Sequence, residues 1–127
     1  MNEVPVYDIE IDVSTSYLKE QSSESANRFV FSYTITIKNI GNIAARLVSR
    51  HWIITNANGE VQEVSGIGVV GEQPFLLPGD EFKYSSGSIL ETPVGTMEGT
   101  YTLIADDKLE FETVIPPFTL SAPHTLH

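Results

Sequence analysis

The chain has 127 residues, a length typical of one domain and sufficient to bury a core. Hydrophobic residues make up 41% and charged residues 19%, a balance typical of globular rather than disordered proteins. The formal net charge of −10 argues against nucleic acid and anionic membranes as partners, since phosphate groups attract Lys and Arg. Without cysteine, no disulfide, thiolate nucleophile or Cys-ligated zinc can form.

The N-terminal stretch MNEVPVYDIEIDVSTSY is acidic and alternating. It lacks the basic and apolar regions of a signal peptide, and no apolar run approaches the roughly 20 residues that span a bilayer. We therefore expect a cytoplasmic protein without membrane insertion. Charges along this stretch and the later Pro116-Pro117 pair are typical of protected sheet edges, which leaves both a monomer and a homodimer open.

Alternating apolar residues predict strands in the first half of the chain. Residues 5–18 place one set of apolar side chains on a single strand face, and residues 28–39 repeat the pattern. Residues 44–56 predict a third strand. Asn58-Gly59 is a hairpin signal that leads into a short strand over residues 60–64.

The second half predicts further strands separated by turns. Residues 81–90 follow a Pro-Gly turn and read as a strand, whereas residues 91–100, ETPVGTMEGT, read as a Pro/Gly loop. Residues 101–106 and 109–115 flank Asp106-Asp107-Lys108 and predict a hairpin.

Pro116-Pro117 is expected to end the last regular strand, with residues 118–123 continuing along an edge. No 3.6-residue apolar period is sustained over three turns, so helices are not predicted. The pattern favours an all-β fold: an antiparallel two-sheet β-sandwich of the immunoglobulin or fibronectin type III kind, without a disulfide. We expect a single domain over residues 1–127, with an ordered core over about 4–120 and a tail over 121–127.

Gly66, Gly68 and Gly71 have the G-x-G-x-x-G spacing of a dinucleotide-binding loop. Such a loop must follow a buried strand and open a helix, but Pro74 and Pro78 leave no room for one. The favoured interpretation is therefore backbone geometry. A looser anion nest formed by glycine N–H groups remains an alternative.

Long stretches of the chain resemble the ApaG family. They are SRHWIIT over residues 49–55, VSGIGVVGEQPFLLPGDEFKYSSG over 64–87, TPVGTMEGTY over 92–101 and IPPFTL over 115–120. The resemblance implies a fibronectin-like sandwich that occurs as a single domain in bacteria and in eukaryotic fusions, including F-box proteins, where it serves protein interaction. It also implies an association with cobalt resistance and magnesium efflux, and a diadenosine tetraphosphate hydrolase as gene neighbour. The family supplies no agreed catalytic residues.

Catalytic and metal-binding patterns are weak. His51 is the one histidine within the predicted strands, and no G-x-S-x-G elbow or other catalytic signature accompanies it. Asp106, Asp107 and Glu110 cluster at the predicted hairpin and are weak candidate ligands for magnesium or cobalt. Their spacing matches no dedicated site, and a charged, solvated turn is the favoured interpretation. We expect neither an enzyme nor a resident cofactor.

Four residues belong to the types that anchor protein interfaces: Arg50, Trp52, Phe75 and Tyr84. The three aromatic ones are also of the types that fill β-sheet cores. Phe75 lies between two prolines, in a stretch that either folds under the sheet or contacts a partner. The sequence therefore predicts a non-enzymatic binding module that acts through protein–protein contact, with a role in magnesium and cobalt homeostasis implied by the resemblance. Two alternatives stay open: a nucleotide- or phosphate-responsive protein using residues 66–71, and a weak direct binder of divalent cations.

Overall fold

Eight β-strands form two antiparallel sheets over residues 3–123, the part of the chain that the computed structural model describes. The strands are β1 (Ile9–Tyr17), β2 (Phe29–Asn39), β3 (Ala45–Asn56), β4 (Val61–Ile67), β5 (Phe75–Leu76), β6 (Glu81–Leu90), β7 (Val94–Ala105) and β8 (Glu110–Ser121). Two single-turn 3-10 helices, Lys19–Gln21 and Glu24–Ala26, separate β1 from β2. Within this part of the chain, no helix is long and apolar enough to cross a membrane.

The first sheet has the strand order β1-β2-β6, and the second has the order β4-β3-β7-β8 with β5 beside β3. This arrangement confirms the predicted all-β sandwich. The core lies between the sheets because each strand turns one apolar set inward. In β2 that set is Phe29, Phe31, Tyr33, Ile35 and Ile37, as its alternation predicts, and all five are buried.

Trp52 is the central aromatic residue of this core. Its side chain is 2% exposed and meets Tyr33, Phe118 and Tyr101 edge to face, with ring centroids 5.5, 5.9 and 6.3 Å away. Aromatic pairs prefer this arrangement because the positive ring edge faces the negative ring face. Trp52 and Tyr33 come from different sheets, so the contact joins the two layers.

The prediction of a loop over residues 91–100 is wrong for most of its length, because β7 already begins at Val94. Gly95 and Gly99 have no positive φ and lie within the strand. A Cβ at Gly99 would stand 2.1 Å from the carbonyl oxygen of His51 on the paired strand β3. The glycine there allows close approach of two strands rather than a turn.

The prediction that Pro116-Pro117 ends the last strand is also wrong. Strand β8 continues to Ser121, one residue beyond the expected end of the ordered core. The register with β7 shifts between Met97 and Gly99, which pair with Phe118 and Ile115. The two prolines fall in this bulge of an edge strand, where a missing N–H donor breaks no ladder bond. The last tail residues, 124–127, lie outside the described residues.

The two open sides of the sandwich differ. On one side β1 packs against β8, and the hydroxyl of Tyr7 donates a hydrogen bond to Asp107 in the β7–β8 turn. The Tyr7 ring also contacts Phe111, with a centroid distance of 5.4 Å. On the other side, the edge strands β6 and β4 leave a groove between them.

Candidate functional site

The glycine segment leaves β4 and makes a tight turn before β5. Val70 (φ 44°) and Gly71 (φ 82°) occupy the centre of this turn, and the backbones of Val69 and Glu72 exchange two hydrogen bonds of 2.8 and 2.9 Å across it. Positive φ at both central positions is typical of a type I′ turn. The next regular element is the short strand β5, so the strand–turn–helix geometry of a dinucleotide loop is not formed here.

Gly68 is required by both its conformation and its surroundings. Its φ is +65°, and a Cβ would stand 2.2 Å from the backbone oxygen of Glu72. Its N–H donates to the carbonyl oxygen of Val48 over 2.9 Å. This hydrogen bond ties the segment to β3 at the position where β3 bulges against β7, between Leu47 and Ser49.

Gly66 makes room for a guanidinium group. A Cβ at this position would lie 2.7 Å from both terminal nitrogens of Arg50, which pairs with Gly66 across β3 and β4. Arg50 Nη1 donates to the carbonyl oxygens of Gly68 at 2.9 Å and Ile67 at 3.3 Å. Arg50, predicted as an interface anchor, is thus half-buried and holds the loop.

These contacts bear on the phosphate alternative. The N–H groups of Gly68 and Val69 already donate to carbonyl oxygens, and the segment directs carbonyl oxygens at its nearest cation, Arg50. An anion nest needs converging N–H groups. Phosphate binding by Gly66, Gly68 and Gly71 stays a prediction that this geometry does not favour.

Two of the predicted interface anchors belong to the core. Trp52 is buried, as described above, and Tyr84 is also buried. The Tyr84 and Tyr101 hydroxyl groups form a hydrogen bond between the sheets. Burial raises the pKa of Tyr84 to about 12 and raises the pKa of Tyr101 still further. Neither Trp52 nor Tyr84 offers a surface to a partner, because the opposing sheet already covers it.

Phe75 is the predicted anchor that lies at the surface. Its side chain is 43% exposed, whereas the next residue, Leu76, faces the core. The guanidinium of Arg46 lies 5.2 Å from the centre of the Phe75 ring and also donates to the Gln73 carbonyl oxygen at 2.7 Å. Three neighbours in sequence are exposed too, and we call the set the apolar segment: Ile67, Val70, Phe75 and Leu77.

His51 does not form a nucleophile–base pair in the part of the chain described. It lies on the outer face of β3, with Ser65 and Thr100 as its cross-strand neighbours. Its Nε2 atom lies 3.2 Å from Glu63 Oε1, and both side chains are exposed. No hydrogen bond joins His51 to either hydroxyl among residues 3–123. A nucleophilic hydroxyl is activated by such a hydrogen bond to its general base.

One of the candidate cation ligands at the β7–β8 turn, Asp107, has a structural role. Asp107 accepts hydrogen bonds from the Tyr7 hydroxyl and from the Leu109 N–H, the latter at 3.1 Å. The Tyr7 hydrogen bond is the main reason that the pKa of Asp107 is lowered. Asp106, Asp107 and Glu110 are not brought together as a ligand set. Across residues 3–123, no three His, Asp or Glu side chains lie close enough together to hold a metal ion.

A groove that the sequence does not predict runs between the edge strands β6 and β4. It consists of two adjoining cavities of about 210 and 500 Å³, both lined by Ile54, Gln62 and Ile89. Val64 adds a half-buried apolar surface to the larger cavity. The only sequence signal was the uncharged run SSGSIL at the end of β6, which does not reveal which strand lies opposite.

Comparisons with known proteins identify the family. The model of the family described as "ApaG domain" matches residues 19–105, which include β2 to β7. The chain belongs to the ApaG domain family. The Protein ApaG of Thiobacillus denitrificans is 58% identical over 127 residues, 100% of both chains, and that of Dechloromonas aromatica is 54% identical over the same length.

A solved structure supports both the ApaG assignment and the fold. The crystal structure of the putative ApaA protein from Bordetella pertussis is 47% identical and covers 97% of this chain and 100% of that chain. Its TM-score with the present structure is 0.92. The ApaG resemblance drawn from the quoted stretches is therefore confirmed, and so is the sandwich fold.

Proposed function

We propose that this ApaG-domain chain is a non-enzymatic, cytoplasmic protein-binding module that acts in magnesium and cobalt homeostasis through a partner protein. The observation that carries the proposal is the apolar segment, which holds Phe75 at the surface beneath Arg46. An exposed aromatic side chain fixed in one conformation loses little entropy on binding, and aromatic residues dominate interface energies. The cation role itself comes from the family resemblance.

The segment is held in place by β3. Between its members, Arg46 donates to the carbonyl oxygen of Gln73 and Arg50 donates to that of Gly68. Gln73 Nε2 donates back to the Val48 carbonyl oxygen at 3.1 Å. A surface that is ordered before contact needs less ordering on association. The proposal fits a monomer or a homodimer, because contact with a different protein through the apolar segment does not require a second copy of the chain.

Complementation of a strain that lacks the gene tests the proposal. The strain should tolerate cobalt differently from its parent, and the wild-type gene should restore the parental tolerance. The Phe75→Ser/Leu77→Ser variant should fail to restore it while keeping the wild-type circular dichroism spectrum and melting temperature. Val114→Ser is the matched control, since Val114 is 67% exposed on the edge strand β8 and lies away from the apolar segment.

The possible outcomes separate the parts of the proposal. No cobalt or magnesium phenotype on deletion would remove the cation role. Full restoration by the Phe75→Ser/Leu77→Ser variant would remove the apolar segment as the working surface. Calorimetry with magnesium and cobalt chlorides distinguishes direct cation binding by this chain from action through a partner protein. We expect no saturable heat because no ligand cluster exists in the described residues.

A further inference from the structure

We propose that the groove between β6 and β4 binds an extended segment of a partner protein, which adds to β6 as a fourth strand of the first sheet and carries basic residues. This surface is separate from the apolar segment, so either assignment can fail without the other. The first observation is the unequal width of the layers. The second sheet has a four-strand path and the first has three strands, so β4 extends beyond β6.

The overhanging inner face of β4 is apolar and incompletely covered. Val64 lies opposite Trp52, and Gln62 lies opposite Ile54, in the inward-facing rows of the second sheet. Val64 and Ile54 pack against the core but remain half-exposed, and Ile89 on β6 is 52% exposed beside them. A strand added to β6 would place alternate side chains over this surface.

The edge of β6 is unprotected over residues 85–90, in contrast to the edges on the other side. Edge strands are normally shielded by charges, prolines, bulges or a covering element. Strand β8 has the Pro116-Pro117 bulge, and β1 carries Glu10 and Asp12 and packs against β8. Residues 85–90 of β6 contain neither charge nor proline, and outside the ladder with β2 their backbones make no hydrogen bond to the rest of residues 3–123.

Charge complementarity selects the occupant. Glu60 and Glu91 line the smaller cavity, and in the described part of the chain neither carboxylate forms an ion pair. Arg28 lines the larger cavity, so the groove as a whole has two acidic side chains and one basic side chain. The chain as a whole has a formal net charge of −10. Pairing of two β6 edges would bring two such chains and their glutamates together, whereas a Lys- or Arg-bearing strand would be attracted. A basic partner segment is therefore favoured over a second copy.

A peptide titration tests this inference. The probe is acetyl-Lys-Val-Thr-Val-Lys-Val-amide, and its counterpart replaces both lysines with glutamate. Amide-resolved NMR should show saturable shifts for residues 85–90 and 61–64 with the basic peptide, with a Kd of roughly 1 mM or tighter. The acidic counterpart should bind at least about tenfold more weakly, since it repels Glu60 and Glu91.

Variants assign the site. Ile89→Ser and, independently, Val64→Thr should each weaken the basic peptide at least about fivefold, whereas Val114→Ser should not change it. Glu60→Gln/Glu91→Gln should remove the preference for the basic over the acidic peptide. The inference is overturned by shifts confined to other strands, by equal affinities for the two peptides, or by no saturable shift up to about 5 mM. A concentration-dependent dimer that protects residues 85–90 would also overturn it, in favour of a second copy.

Discussion

The guanidinium of Arg50 occupies the space where any residue other than glycine would place its Cβ at position 66. That Cβ would lie 2.7 Å from Nη1 and Nη2. The arginine and the glycine are cross-strand partners, so the first glycine of the G-x-G-x-x-G pattern is explained by a side chain of the protein itself. The pattern is typical of nucleotide loops. Here its first glycine leaves room for the Arg50 guanidinium, which donates hydrogen bonds at the end of β4.

The three glycines should differ in their tolerance of alanine. Gly68→Ala should lower the free energy of unfolding by roughly 3 kcal/mol, because it combines positive φ with a clash against Glu72 backbone. Gly71→Ala should cost only about 1 kcal/mol, since its φ is also positive but the space around it is open. Urea denaturation of both variants gives this order, and equal losses would contradict it.

Gly66→Ala should be coupled to Arg50. The new methyl group displaces the guanidinium and weakens its hydrogen bonds to Gly68 and Ile67, at a cost of about 1 kcal/mol. In an Arg50→Ala background the same substitution should cost almost nothing. A double-mutant cycle measures the coupling, and a value below about 0.5 kcal/mol would show that the two side chains act independently.

The Tyr84–Tyr101 hydrogen bond should give non-additive losses. Each single Phe substitution leaves one hydroxyl unpaired in the core and should lower stability by about 1–3 kcal/mol. The double substitution should cost less than the sum of the two, because no unpaired hydroxyl remains. Thermal unfolding of the three variants provides the test, with additive losses as the contrary result.

The same pair should limit stability at alkaline pH. The folded-state pKa of Tyr84, about 12, is raised above the ordinary value of 10.0, because burial disfavours the phenolate. The contribution of the neutral Tyr84 hydroxyl to the free energy of unfolding is therefore fully present below pH 10. It is lost as the pH rises through the folded pKa. Tyr84→Phe should flatten the fall in stability above pH 10. An unchanged alkaline profile in this variant would show that other groups govern it.

The single tryptophan should report the core directly. Trp52 is 2% exposed, so its emission should be blue-shifted and resistant to quenching by the neutral quencher acrylamide in the folded protein. Denaturation should shift the emission to longer wavelength in one transition that coincides with the circular dichroism change. Ready quenching of the native protein would mean that the sandwich admits solvent at its centre.

The hydrogen bond from Tyr7 to Asp107 should be visible in an acid titration. The pKa of Asp107 is lowered first by this bond, so Tyr7→Phe should raise it toward the ordinary value. The stability contributed by the lowered pKa is present above the unfolded value and is lost as the pH falls through the folded one. Carboxyl-carbon NMR of both proteins measures the change, and an identical pKa would remove the contact from the explanation.

The two-residue period predicts the strands that alternate clearly. Treating glycine and proline as strand breaks gives a wrong start for β7 and a wrong end for β8. The inward set of β2 followed from Phe29 to Ile37 without reference to the rest of the chain. The sequence predicts a loop at Gly99 and the end of a strand at Pro116, yet both residues lie in strands. Whether a glycine turns the chain or admits a neighbouring backbone depends on what lies opposite, which local sequence does not contain.

The sequence by itself determined the all-β class, the absence of disulfides, the net charge and, through long matching stretches, the ApaG family. These properties depend on composition, on the two-residue period of strands and on residue order. Only the tertiary structure decided that Trp52 and Tyr84 are core while Phe75 is surface, and that Gly66 faces Arg50. Only the tertiary structure shows that β6 and β4 are neighbouring edge strands. The pairing of strands distant in sequence is fixed by packing between whole sheets, which local sequence does not contain.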